Sequence, residues 1–175
     1  MKNEQGITLV ELIIVISVIG ILAVALGFEF RGWMGGYSVE SQMKEMYVDL
    51  MNARVRAMQR NRVHFFSLAS KQYTVYEDTN PAPDGDEALT TASDTQVLQK
   101  TLDNAISWSD ASDTNIGFTS AGLADLAVIK TLCCNSSSNA DYNCILVTAS
   151  RINLGKLTTK ISDGGACSDT NCLPK

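Results

Sequence analysis

Gly6-Ile7-Thr8-Leu9-Val10-Glu11-Leu12 opens an apolar run that continues as IIVISVIGILAVALGF from Ile13 to Phe28. Between Ile7 and Phe28 there is a single charge, Glu11. At about 1.5 Å per residue, such a stretch in helical form is roughly 33 Å long, enough for the hydrocarbon core of a bilayer. A cleaved secretory signal is one physical reading, with Ala23-Val24-Ala25 as its small-residue site. Against it, Lys2 is offset by Glu4, and Glu11 stands inside the apolar stretch. A plain membrane anchor is the second reading. It leaves Glu11 unexplained, because a carboxylate well inside hydrocarbon costs on the order of 3 kcal/mol and an anchor gains nothing from it.

The heptapeptide Gly6 to Leu12 resembles the signature of type IV prepilins: Gly, an apolar residue, Thr-Leu, an apolar residue, then Glu, leading into an apolar helix. The resemblance implies cleavage between Gly6 and Ile7 by a prepilin peptidase, N-methylation of the new amine at Ile7, and a mature protein that keeps the apolar helix. Ile stands at the first mature position where Phe is commonest in that family. Glu11 then acquires a purpose. A buried charge needs an opposite partner, and the carboxylate of one subunit would neutralise the Ile7 amine of a neighbour and fix the axial register. Thr8, Leu9, Val10 and Glu11 are thus the expected assembly residues. The leader is barely basic, so membrane orientation follows from the resemblance and not from positive charge.

Downstream, no proline occurs before Pro81, so the helix has no forced stop at Phe28. Gly32, Gly35 and Gly36 weaken it by roughly 1 kcal/mol each relative to Ala, as a linker or as a soft point. Val39, Met43, Met46, Tyr47, Leu50, Ala53, Ala57 and Met58 then recur at helical spacing and predict a face that packs on a sheet. The Arg54, Arg56, Arg60 and Arg62 cations suit the helix end. Next the period changes. Val63–Leu68 and Tyr73–Tyr76 predict a hairpin turning at Ser70-Lys71-Gln72, with further strands at Gln96–Leu102, Ile116–Thr119, Leu126–Leu132, Cys144–Thr148 and Ile152–Leu157. One long helix followed by many short strands predicts an α+β fold with antiparallel sheet, the shape of the pilin family. The expected divisions are a leader over 1–6, a transmembrane and assembly helix over 7–28, its continuation over 29–62, and a β-rich periplasmic head over 63–175.

Within the head, Leu50-Met51-Asn52-Ala53-Arg54, Ile116-Gly117-Phe118-Thr119-Ser120 and Ile145-Leu146-Val147 followed by Arg151-Ile152 look like the GspH/FimT branch of minor pilins. That resemblance implies a structural subunit of a type IV pilus or type II secretion pseudopilus, first in the bacterial inner membrane with its head in the periplasm, then in the filament. Implied partners are prepilin peptidase, other pilins or pseudopilins, and an assembly platform driven by a cytoplasmic ATPase. The alternatives are a major pilin forming the filament shaft, or a DNA-uptake pilin.

No catalytic framework and no cofactor are expected. The net charge of −5 and pI near 4.8 speak against nucleic-acid binding by overall charge, and residues 151–175 carry only four Lys or Arg against two Asp. The one histidine, His64, lies beside aromatics and reads as structural. Glu77 to Asp113 holds nine acidic residues and one basic. Within it Asp78, Asn80, Asp84 and Asp86 offer oxygen ligands suited to calcium, but the spacing is not that of an EF-hand, and a solvated, turn-rich loop is expected. Five cysteines, Cys133, Cys134, Cys144, Cys167 and Cys172, crowd the last 43 residues and read as disulfides of an oxidising compartment, with at least one thiol free or paired with another chain. A bridge from Cys133 or Cys134 to Cys144 would close the polar loop between them, with Cys167–Cys172 tying the tail. Neighbours on a strand face opposite ways, so one of the pair 133/134 should face inward unpaired.

Overall fold

The computed structural model describes residues 8–82, 85–126 and 129–175, with side chains for all of these except 25–32. One helix, α1, runs from Leu9 to Arg60, about 78 Å at the standard rise. Thr8 caps its start, the hydroxyl accepting from Glu11 N–H at 3.2 Å. Asn61 ends it in the left-handed region at φ 53°, a conformation that Asn tolerates better than most residues. The buried stripe is Val39, Met43, Met46, Leu50, Ala53 and Ala57, alternating four and three residues apart so that it stays on one face. Tyr47 and Met58, which the spacing also places on that face, fall on its flanks: Tyr47 is half-buried and Met58 exposed.

After the helix come the hairpin β1 (His64–Ala69) and β2 (Gln72–Glu77), then β3 (Thr95–Thr101), β4 (Ile106–Trp108), β5 (Asn115–Phe118) and β6 (Ala124–Asp125). β7 (Lys130–Cys134), β8 (Cys144–Val147), β9 (Ile152–Leu157) and β10 (Cys172–Pro174) complete the head, with a 3-10 turn at Ile161–Asp163. Among the described residues all pairings are antiparallel, in two five-stranded sheets ordered β3-β2-β1-β5-β6 and β10-β9-β8-β7-β4. The predicted strand over Leu126–Leu132 begins instead at Lys130, and β4, β6 and β10 arise where the pattern predicts none. Each of these three is only two or three residues long, too short to show a period.

The helix stripe packs against both sheets. Phe66, Tyr73, Ile116 and Phe118 come from the first, and Leu132, Cys134, Ile145 and Val147 from the second. The second sheet has another buried side. Cys133, Cys144, Leu146, Leu157 and Cys172 form a small core there, joined by Ile161 and Cys167 of the returning tail. Two disulfides fasten it, Cys133–Cys167 and Cys144–Cys172. This corrects the expected loop-closing bridge and the expected Cys167–Cys172 pair. Cys133 and Cys144 do lie opposite one another in register, but both face the tail, which brings one cysteine to each. Cys134 points to the helix side as the free, buried thiol.

Candidate assembly surface

The candidate site is the helix below the head and the neck where the two meet. Leu9, Val10, Leu12 to Ile16, Val18, Ile19, Ile21, Leu22 and Val24 are exposed by 49 to 74%. An α-helix that is apolar on every side is normally covered, and nothing in the head covers this half among the described residues. Gly6 and Ile7, the expected cleavage and methylation residues, lie outside the described residues. Thr8, Leu9, Val10 and Glu11 form the first turn. The Glu11 carboxylate sits at the positive end of the helix and has no ion pair among the described residues. Among the described residues no helix is long and apolar enough to cross a membrane.

The neck carries three fastenings within two turns. A Cβ on Gly36 would collide with the backbone oxygen of Asn139, and one on Gly35 with the Ser138 hydroxyl. These glycines therefore seat the 135–143 loop on the helix, a role that their linker-like spacing did not reveal. Asn104 and Gln42 exchange hydrogen bonds, each 2.8 Å long, and Asn104 Nδ2 donates to Ser38 at 3.3 Å. Glu40 accepts from Asp141 N–H at 2.8 Å; that bond, aided by Lys44 beside it, holds its carboxyl below the ordinary 4.5. Beside the neck, a groove of about 550 Å³ runs between the helix and the end of β3, lined by Trp33, Met34, Tyr37, Glu45 and Lys100 among others. At its upper end Asp49 receives Tyr73 Oη at 2.6 Å and Lys100 Nζ at 2.8 Å, and Lys100 reaches Glu45 at 2.6 Å. Burial, and then this bond to Asp49, push the Tyr73 phenol well above its ordinary range.

The remaining candidates do other work. Both Asp78 oxygens accept from backbone N–H groups, those of Asp86 and Glu87. Asp94 likewise accepts from Thr79, Asn80 and Thr90. These carboxylates fold the acidic loop onto itself. Asp84 lies outside the described residues, and among the described residues no group of three or more His, Cys, Asp or Glu could hold a metal ion. His64 is buried with Nδ1 3.2 Å from the Arg62 carbonyl. Lys130 is a buried cation that the sequence gives no sign of. It is satisfied by the Asp113 carboxylate at 2.6 Å and by the carbonyls of Asp113 and Asn115.

Residues 1–27 match the family described as the prokaryotic N-terminal methylation motif. No curated protein matches the sequence. Among solved structures, the chain is similar to the type IV minor pilin FimU of Pseudomonas aeruginosa, with a TM-score of 0.51 at 15% identity over 67% of this chain and 88% of that one. It also matches the minor pseudopilin EpsH from the Type 2 Secretion System of Vibrio cholerae, with a TM-score of 0.48 at 11% identity over 67% of this chain and 95% of that one. The chain has the pilin fold, an N-terminal helix packed on antiparallel sheets, with a prokaryotic methylation motif at its start.

Proposed function

We propose that the chain is a structural subunit, a minor pilin or pseudopilin, of a type IV pilus or a type II secretion pseudopilus. The observation that carries this reading is the junction of a methylation motif with a helix exposed and apolar on all sides below a pilin head. Residues 1–6 are the leader, removed by prepilin peptidase, and Ile7 becomes the methylated N-terminus. Residues 7–28 span the inner membrane with the head in the periplasm, and the same helix later packs among other pilins in the filament, engaged by an inner-membrane platform. The subunit acts mechanically and has no catalytic step. The role of Glu11 is to meet the Ile7 amine of a neighbour, because a carboxylate without a partner is costly once the filament core excludes water.

Quantitative mass spectrometry of sheared, purified filaments tests the reading. A trace amount relative to the most abundant pilin is the expected result; a dominant amount would make this the shaft subunit, and absence would end the filament reading. The Glu11→Ala variant should keep a folded head, judged by its unchanged melting, and lose incorporation. Undiminished incorporation would overturn the charge-pairing role.

A further inference from the structure

The head meets the helix abruptly. Its lowest fastenings are Ser138 and Asn139 over Gly35 and Gly36, and Asn104 on Ser38. At that rim stand Trp33 and Tyr37, one turn apart on the helix, with ring centroids 6.4 Å apart at an interplanar angle of 30°. They are 69% and 68% exposed, and Met34 beside them is 55% exposed. Trp33 lies 22 residues beyond Glu11, about 33 Å of helix, against about 30 Å for a hydrocarbon core. Glu29 and Arg31 are the first charged residues after Glu11, so the apolar span ends just short of Trp33. The groove above changes character along the same axis. It is apolar at Trp33, Met34 and Tyr37, turns polar at Ser38, Ser41, Gln42 and Asp103, and carries the Glu45–Lys100 pair three turns above Trp33. An apolar end below a polar one suits a membrane boundary. Indole and phenol rings favour the boundary because the ring is apolar while its N–H or O–H needs a polar partner.

We propose that Trp33 and Tyr37 form an interfacial anchor in the phospholipid headgroup layer of the leaflet opposite Glu11. It sets the depth of the helix and rests the rim of the head on the lipid surface before assembly. The ligand is the bilayer boundary itself, and the inference rests on the membrane reading above.

The full chain is reconstituted in vesicles of phosphatidylethanolamine and phosphatidylglycerol, floated on a density gradient, and its tryptophan fluorescence measured. The comparison is among vesicles with lipids brominated near the headgroup, with lipids brominated near the bilayer centre, and with neither. Trp33→Phe, at an exposed position that the fold tolerates, isolates the Trp33 signal from that of Trp108 in the head. The expected result is quenching by the shallow bromolipid, weaker quenching by the deep one, and loss of the quenched component in Trp33→Phe. Protein that fails to float would remove the membrane reading itself. Protein that floats while Trp33 is unquenched by either lipid would overturn the anchor alone. Shielding of Trp33 that grows with protein density without bromolipid quenching would also overturn it, by assigning the pair to a second copy.

Discussion

The two halves of α1 share one backbone geometry and meet opposite fates. From Leu9 to Val24 the apolar side chains stand outward on every side, whereas from Val39 to Ala57 a single stripe is buried to 1% exposure or less and the flanks carry charge. The lower half shows no buried stripe because nothing in its own chain covers it among the described residues. The upper half has one partner, the two sheets, and its four-three spacing is cut to fit it. Apolarity alone therefore says that a helix will be covered, while periodicity says whether its own chain does the covering.

The sharpest way to break this comparison is one substitution made in each half. Leu50→Ala removes a fully buried side chain from the main core and should cost the head about 2–5 kcal/mol, read as a lower denaturant midpoint at constant slope. Leu12→Ala makes the same chemical change on the bare half and should leave head unfolding where it was. If both variants shift the midpoint equally, the halves form one cooperative unit and the division fails.

The tail-covered side of the second sheet sharpens the comparison, since it is a core covered by the tail and not by α1. Seven residues form or pack against it, and its cohesion relies on covalent fastening. Cys144→Ala with Cys172→Ala should cost about 2–4 kcal/mol, measured under oxidising conditions against the parent. Reduction of the parent should lower its midpoint in the same direction. If the double variant melts like the parent, the packing of Leu146 and Leu157 suffices and the bridge is incidental to stability.

Much of the fold can be read in the residues, and the failures share one cause. The helix announces itself in Val39, Met43, Met46, Leu50, Ala53 and Ala57 because burial there follows from local spacing. The β1–β2 hairpin does the same, its register closing across Ser70 and Lys71. Alternation likewise assigns Cys133 and Cys134 to opposite faces. What alternation cannot supply is which distant segment arrives at each face, so the tail bridges were not legible. For the same reason the seat at Gly35 and Gly36 resembles any glycine linker until the 135–143 loop is placed on it. Lys130 resembles a surface lysine until Asp113 closes over it. Of the assembly surface, the motif was plain in Gly6 to Glu11, whereas the groove at Trp33 and Tyr37 depends on where β3 ends.

Glycine offers a gentler version of the same contrast. Gly20 has nothing within reach of an added methyl, while Gly36 faces the Asn139 backbone. Gly20→Ala should therefore leave the head unchanged and favour local helix by about 1 kcal/mol. Gly36→Ala should destabilise by about 1–3 kcal/mol through overpacking, a loss visible in head melting, because a backbone oxygen cannot swing aside as a side chain would. Equal melting of the two variants would return Gly36 to the status of a linker.

The smallest expected effect lies where the upper half of the helix ends. His64 is buried at the start of β1, and burial holds its pKa below the ordinary 6.5, partly countered by the Arg62 carbonyl and the Glu77 carboxylate. The nearby Arg56 and Arg60 guanidiniums push the same way as burial. The native ring thus stays neutral at a pH where the unfolded chain already takes up a proton. Stability is full above pH 6.5 and declines as the pH falls from there toward the depressed native value, below which this contribution changes no further. His64→Asn removes the titration while keeping a donor toward Arg62, so the parent should lose more melting temperature than the variant across that window. Parallel losses would assign the acid sensitivity to carboxylates such as Glu40, whose native pKa is also lowered.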